Sequence, residues 1–395
     1  MTSRFLAAAS CIVLVGCGVG AEPDAGAREN DPEPVVIASS GWPWGRPILA
    51  GNELYFGVQA PIRCGVPRDN DYSLFSVSLD GNEEAEALGD FYGPKVGFMA
   101  FDGQALYAPS DGFDEDAEKT RRTIHRVSSH GMADVAVVPD SPEPALLAAD
   151  DDYVFVGSME WDSAGADEDL DGPRCGTIRR IERSSGDIAV LVPGEGCLLP
   201  GLYELAQMSK YLFALGDASS PGSLFPDPDR PSPLVRIRKD SGDAVTIWIG
   251  APQGSPLVQR LMADEDNLYF FTAWEEGHRR WAELRRLPIS IFDTRPGSRV
   301  LGIALVEVPF ADSYYDLDLA LAGSSLAYSV SRHILGPEVW IEESDIFRIS
   351  KRGGEPELLS LPGNPGTTGL AASEGVAVWQ SQDGALRRRR FTPSP

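Results

Sequence analysis

An aromatic-bearing strand returns seven times along the 395 residues, as Leu54-Tyr55-Phe56, Leu106-Tyr107, Val154-Phe155, Leu212-Phe213, Leu268-Tyr269-Phe270, Ala327-Tyr328 and Ala377-Val378-Trp379. The marker positions 55, 107, 155, 213, 269, 328 and 378 lie 48 to 59 residues apart. Each copy follows a short apolar run. After it comes a variable loop and a strand with Arg, for example Ile124-His125-Arg126-Val127, Ile178-Arg179-Arg180-Ile181 and Val235-Arg236-Ile237. Turn glycines then stand at Gly81, Gly131, Gly186, Gly242 and Gly354. Four short strands per unit of this length is the pattern of a β-propeller blade. A single blade cannot bury its own faces, so it must stack on its neighbours around an axis. The seventh unit, 368–391, holds three strands and stops, whereas Val35-Val36-Ile37-Ala38 has no unit of its own. The sequence therefore predicts an all-β, seven-bladed propeller of four-stranded blades, with the N-terminal strand completing the last blade. Ring closure removes the edges that would otherwise pair with other chains. The stretch between Leu287 and Leu301 fits the repeat poorly and leaves six or eight blades open.

The chain carries 59 acidic and 34 basic residues, a formal charge of −25, with 43% hydrophobic residues. That composition is globular. Its sign repels phosphate backbones and excludes nucleic-acid binding. The acids gather in the variable loops between second and third strands: Asp69 and Asp71, Asp114 and Asp116, Asp167 to Asp171, Asp227 and Asp229, and Glu275 and Glu276 after Trp274. Glu342, Glu343 and Asp345 belong to the same set. In a propeller these loops share one face, where gathered negative charge steers cationic partners. Plain solvation of long loops is the competing reading.

Residues 1–16 carry Arg4 and then an apolar run from Phe5 to Val15, the pattern of a secretory signal peptide and too short for a comfortable span. The run ends in Leu14-Val15-Gly16-Cys17, which resembles the bacterial lipobox. That resemblance implies diacylation of Cys17 (a palmitate-type anchor), and Gly18 in place of Asp implies passage to the outer membrane. Several acyl chains hold a protein stably at a bilayer. Residues 17–34 are rich in Ala, Gly, Asp, Glu and Pro and read as a flexible tether, leaving 35–395 as the propeller domain.

The aromatic, Arg and Gly columns together resemble the TolB, NHL and YWTD-type group of bacterial propellers. The resemblance implies the fold and leaves both binding and enzymatic roles open. Of five Cys, Cys11 leaves with the signal and Cys17 takes lipid. Cys175 and Cys197 flank the turn at Gly186 at equal distance, so antiparallel third and fourth strands would bring them within disulfide reach. Cys64 is then the odd thiol, although a Cys64–Cys175 pair is a second option. Asp167, Asp169 and Asp171 before Gly172 match the first half of a calcium loop. Ile178 and Cys175 occupy the positions where such loops place a further acid, so calcium is an open cofactor. The Arg column, which includes Arg388 in the run Arg387 to Arg390, reads as packing between blades. Four His show no zinc spacing, and no nucleophile motif appears.

The predicted function is a membrane-anchored, exported binding lipoprotein whose acidic loop face takes a protein, peptide or cationic ligand. The alternative is a propeller hydrolase, lactonase- or glycosidase-like, with a metal or carboxylates at the central channel. Such an enzyme needs acids at the top ends of the first strands. Those segments, Ile48-Leu49-Ala50, Leu146-Leu147-Ala148 and Leu319-Ala320-Leu321, read as apolar.

Overall fold

The structure is a computed structural model. It describes residues 33–39, 43–59, 71–80, 84–92, 99–114, 119–128, 131–138, 146–161, 174–194, 197–216, 232–250, 257–276, 279–294, 302–309, 314–335 and 340–392. Seven four-stranded antiparallel sheets form a seven-bladed β-propeller. Strand β1 (Val35–Ser39) precedes blade 1, which contains β2 (Pro43–Ala50), β3 (Glu53–Gln59), β4 (Asp71–Ser78) and β5 (Glu86–Tyr92). Blade 2 follows as β6 (Ala100–Phe101), β7 (Leu106–Asp114), β8 (Lys119–Ser128) and β9 (Gly131–Val138). Blade 3 is β10 (Leu146–Ala149), β11 (Tyr153–Trp161), β12 (Arg174–Glu182) and β13 (Ile188–Val192). Blade 4 is β14 (Leu202–Gln207), β15 (Tyr211–Gly216), β16 (Ser232–Arg238) and β17 (Ala244–Gly250). Blade 5 is β18 (Leu257–Ala263), β19 (Asn267–Glu276), β20 (Arg279–Pro288) and β21 (Ile303–Pro309), with helix α1 (Ser290–Thr294) inserted before its last strand. Blade 6 is β22 (Tyr314–Ala322), β23 (Ser325–Leu335), β24 (Trp340–Ser350) and β25 (Glu357–Leu358). Blade 7 is β26 (Thr367–Ser373), β27 (Val376–Ser381) and β28 (Ala385–Arg390), and β1 pairs antiparallel with β28 to complete it.

All seven aromatic markers fall on second strands, and Phe155, Phe213, Tyr269 and Trp379 are fully buried between blades. Second strands are covered on both faces by neighbouring blades, which is why they read as apolar runs and not as alternating ones. The poor repeat after Leu287 is α1, an insertion that leaves the blade count intact. Its Phe292 packs on Phe213 and under the guanidinium of Arg236 in blade 4.

The Arg column does what its periodicity predicts. Arg180 lies 4.7 Å over Tyr153 and donates to the Lys239 carbonyl of the next blade at 2.6 Å. Arg286 donates to the Lys351 carbonyl at 3.1 Å, Arg348 to the Thr392 carbonyl and Arg388 to the Leu79 carbonyl. In each case a third strand reaches across to backbone of its neighbour. The last of these crosses the closure between blades 7 and 1.

A second lock escapes the sequence reading. In the turn after a first strand, one carboxylate oxygen of Asp102 accepts the N–H groups of Gln104 and Ala105 at 2.7 Å each. Its other oxygen takes Tyr107 at 2.9 Å and Arg183 of blade 3 at 2.8 Å. Asp150 repeats the turn and pairs with Lys239 at 2.6 Å. Asp264 repeats it again, holding Tyr269 at 3.0 Å and Lys351 at 2.7 Å. Each pair joins the inner turn of one blade to the outer turn of the next. Gly242, in such an outer turn, has φ +77° and no room for a Cβ, which would meet the Leu191 carbonyl at 2.6 Å.

Candidate functional site: the mouth of the central channel

First strands run from the face bearing the 2–3 connections toward the face bearing the 1–2 turns, and all seven border the axis. They enclose a cavity of about 370 Å³. Most of its wall is apolar, with Ile48, Leu49, Met99, Phe101, Leu147 and Met262 among its members. These include the apolar first-strand segments picked out in the sequence. What the sequence reading missed stands a residue or two earlier along the strands. Arg46 of β2 donates through Nη1 to Glu204 Oε1 of β14 at 2.9 Å. Its Nη2 lies 3.0 Å from Asp318 Oδ1 of β22. Charges from three blades thus meet near the channel mouth and sum to minus one.

Backbone irregularities help to place them. The β2–β3 register shifts between Trp44 and Ile48, a span that contains Arg46, and β14 shifts between Leu202 and Glu204. A bulge inserts an unpaired residue and re-aims side chains. β18 shifts as well, between Gln259 and Leu261, and Arg260 at that point has φ +54°. A non-glycine residue held there is strained and needs its surroundings to fix it. Arg260 Nε donates to the Leu317 carbonyl at 2.5 Å, bracing the strand next to Asp318.

The two carboxylates differ in satisfaction. Asp318 accepts the N–H of Leu319 on one oxygen and that of Leu370 on the other, both at 2.9 Å. Glu204 is only 4% exposed, and its Oε2 is buried with no hydrogen-bond partner. An unmet charged acceptor in a low-dielectric site is costly. Among the described residues no group of three His, Cys, Asp or Glu could hold a metal ion.

The sequence-predicted residues fall in three groups. Cys17, Asp69, Asp116, Asp167, Asp169, Asp171, Asp227 and Asp229 lie outside the described residues, as does Cys64. Asp71 begins β4, Asp114 ends β7, and Trp274, Glu275 and Glu276 end β19, all at the face of the 2–3 connections. The register puts Lys119 opposite Asp114, Arg280 opposite Glu275 and Arg279 opposite Glu276, while Trp274 faces Trp281. Asp345 pairs with Arg332 at 2.6 Å. A cross-strand basic partner such as Arg332 tempers the acidity of the face.

The third group is the disulfide. Cys175 and Cys197 are bonded, with Cα atoms 5.0 Å apart. The expected reason needs correcting: β13 ends at Val192, so Cys197 is not on the fourth strand facing Cys175. It lies in the connection to blade 4, where Cys175 also bridges Pro200 and Gly176 donates to the Leu199 carbonyl at 2.7 Å. The bond therefore staples blade 3 to the lead-in of β14, the strand that carries Glu204. Among the described residues no helix is long and apolar enough to cross a membrane.

The chain matches no protein-family model and no curated protein sequence. Solved structures do resemble it. An oligogalacturonate lyase in complex with manganese aligns at 13% identity over 90% of each chain, with a TM-score of 0.53. A chain of the mitotic checkpoint complex aligns at 12% identity over 94% of this chain and 98% of that one, TM-score 0.52. The computationally designed Ika8 protein aligns at 10% identity over 89% of this chain and 98% of its own, TM-score 0.50. At such identities the likeness is one of fold.

Proposed function

We propose that this protein is an exported, lipid-anchored binding protein that presents the 2–3-connection face of a rigid ring to a cationic partner. The observation that carries the reading is the excess negative charge of Arg46, Glu204 and Asp318 at the centre of that face. Acids at the strand ends around it would add to the field that steers a basic partner. The lipobox-like residues 14–17 support the anchor, and residues 17–34 would serve as its tether. Strand polarity agrees with this arrangement. Val35 pairs with Arg388 and Ser39 with Ala385, so β1 starts at the face of the 3–4 turns. A tether entering there leaves the channel mouth pointing away from the bilayer.

Two measurements test the reading. Cys17→Ser should abolish acyl-chain incorporation and release of the lipidated protein into the membrane fraction of a bacterial host; unchanged incorporation would sink the anchor. A decalysine peptide should bind residues 31–395, which contain all the described strands, and the affinity should fall steeply with salt. Asp114→Asn combined with Asp116→Asn should weaken it, and binding that ignores both salt and these changes rejects the acidic-face reading. Calcium at Asp167, Asp169 and Asp171 is tested by melting the same protein with calcium and with chelator, where a rise with calcium is expected.

A hydrolase working at the channel is the second reading. Glu204 and Asp318 favour it, because acids do converge on the axis from different blades. Against it, Arg46 already engages one oxygen of each.

A further inference from the structure

We infer that the central channel is a binding site for a small organic cation, an ammonium group carried on an apolar body, with Glu204 Oε2 as its acceptor. This deepens the acidic-face reading, since it rests on the same excess charge at Arg46, Glu204 and Asp318, and depends on neither the lipid anchor nor the loops. Two observations carry it. The first is the unpartnered oxygen of a carboxylate that is 4% exposed, on a residue that lines the cavity. The second is the cavity itself, about 370 Å³ and walled mainly by aliphatic, Met and Phe side chains.

The chemistry of the donor set selects the ligand. Arg46 neutralises one of the two carboxylates, so one negative charge is left over in a buried site. A buried charge without a counter-charge is unfavourable, and a monovalent cation placed at Glu204 Oε2 removes that cost. Arg46 Nη2 also lacks a hydrogen bond, but it stands 3.0 Å from the Asp318 carboxylate, so an anion would still meet the residual negative charge and be repelled. A hard divalent ion asks for six or more oxygens, whereas Asp318 has already committed both of its oxygens to backbone N–H groups. A single unpartnered acceptor on a residue that lines a mainly apolar cavity suits one N–H donor group with a hydrocarbon portion behind it. The site is also held in place before any ligand arrives. Arg260, in its strained conformation, fixes the Leu317 carbonyl beside Asp318, and the Cys175–Cys197 bond fixes the approach to β14. Such prior ordering reduces what binding must spend on rigidity.

The test uses 2-phenylethylammonium as probe on residues 31–395, with phenylacetate and 2-phenylethanol as controls of matched shape. Calorimetry should show one saturable site for the ammonium and neither control binding comparably. Glu204→Gln should weaken the ammonium roughly 10- to 100-fold, the loss of one charge-assisted hydrogen bond. Met262→Trp, which fills the cavity from another wall, should abolish binding while leaving all three charges in place. It serves as the independent variant should Glu204→Gln unfold. No saturable heat with the ammonium, equal binding of phenylacetate, or full affinity in a folded variant of either kind overturns the proposal. The decalysine titration and its Asp114→Asn and Asp116→Asn variants read the loop acids, whereas the ammonium titration reads the channel, so failure of this site is told apart from failure of the acidic-face reading.

Discussion

At the scale of single residues, the ring is held by carboxylates that stay charged. Burial works to raise Asp102, but the N–H groups of Ala105 and Gln104, the Tyr107 hydroxyl and Arg183 together hold it below the usual carboxylate range. Burial likewise opposes the effect of Lys351 and two backbone N–H groups on Asp264, and loses. Burial and the Asp102 carboxylate push Tyr107 up to about 12. The sign follows directly. With the folded pKa below the unfolded value of about 3.9, the unfolded chain binds more protons at acid pH. The stabilisation is therefore complete above about pH 5 and is lost as pH falls through the folded values. Acid titration of the melting temperature should show a plateau and then a decline below about pH 4. Lys351→Met should cost about 1–3 kcal/mol at neutral pH, because it strands the Asp264 carboxylate. It should also flatten the acid decline, since Asp264 then loses its main source of depression. A variant as stable as the parent in urea at pH 7 would show that the lock contributes nothing.

Among elements, β1 matters most for its size, since five residues close a ring of seven blades. Deleting residues through 40 should expose the edge of β28, lower the melting temperature and promote self-association, seen by light scattering. A peptide spanning 33–40 added back should reverse part of both effects. This closure was legible in the sequence because a blade short of one strand and a strand short of a blade can be matched by counting. Second and third strands were legible for a related reason: an aromatic buried between blades and an Arg reaching the next one recur at fixed offsets. The channel charges were not, because bulges break the alternation from which inward positions are read. A signal did exist in Leu317-Asp318-Leu319 and in Glu204 between Tyr203 and Leu205, where an acid interrupts an apolar first strand. The Asp turn went unread although it left a signal, in Asp102, Asp150 and Asp264, each five residues before its marker aromatic. Helix α1 was not, since an insertion has no copy elsewhere against which to compare it.

For the molecule as a whole, stability is spread over blade seams, and among the described residues the seam between blades 3 and 4 is the one with a disulfide. Cys175→Ser should cost roughly 3 kcal/mol if loop closure dominates, measured by urea unfolding with and without reductant. The reduced parent should match the variant, and a variant unaffected in stability would assign the bond no structural role. The closing strand has a mechanical consequence as well. On the proposed anchor, a pull through residues 17–34 would act at Val35 and run broadly along β1, whose hydrogen bonds to β28 lie across that direction. The load is then shared by the whole ladder in shear and is passed on to blade 1 through the covalent chain. Peeling, which would break one bond at a time, is the geometry this attachment avoids. A ring moored as proposed would ride out drag at its surface without opening at its weakest join.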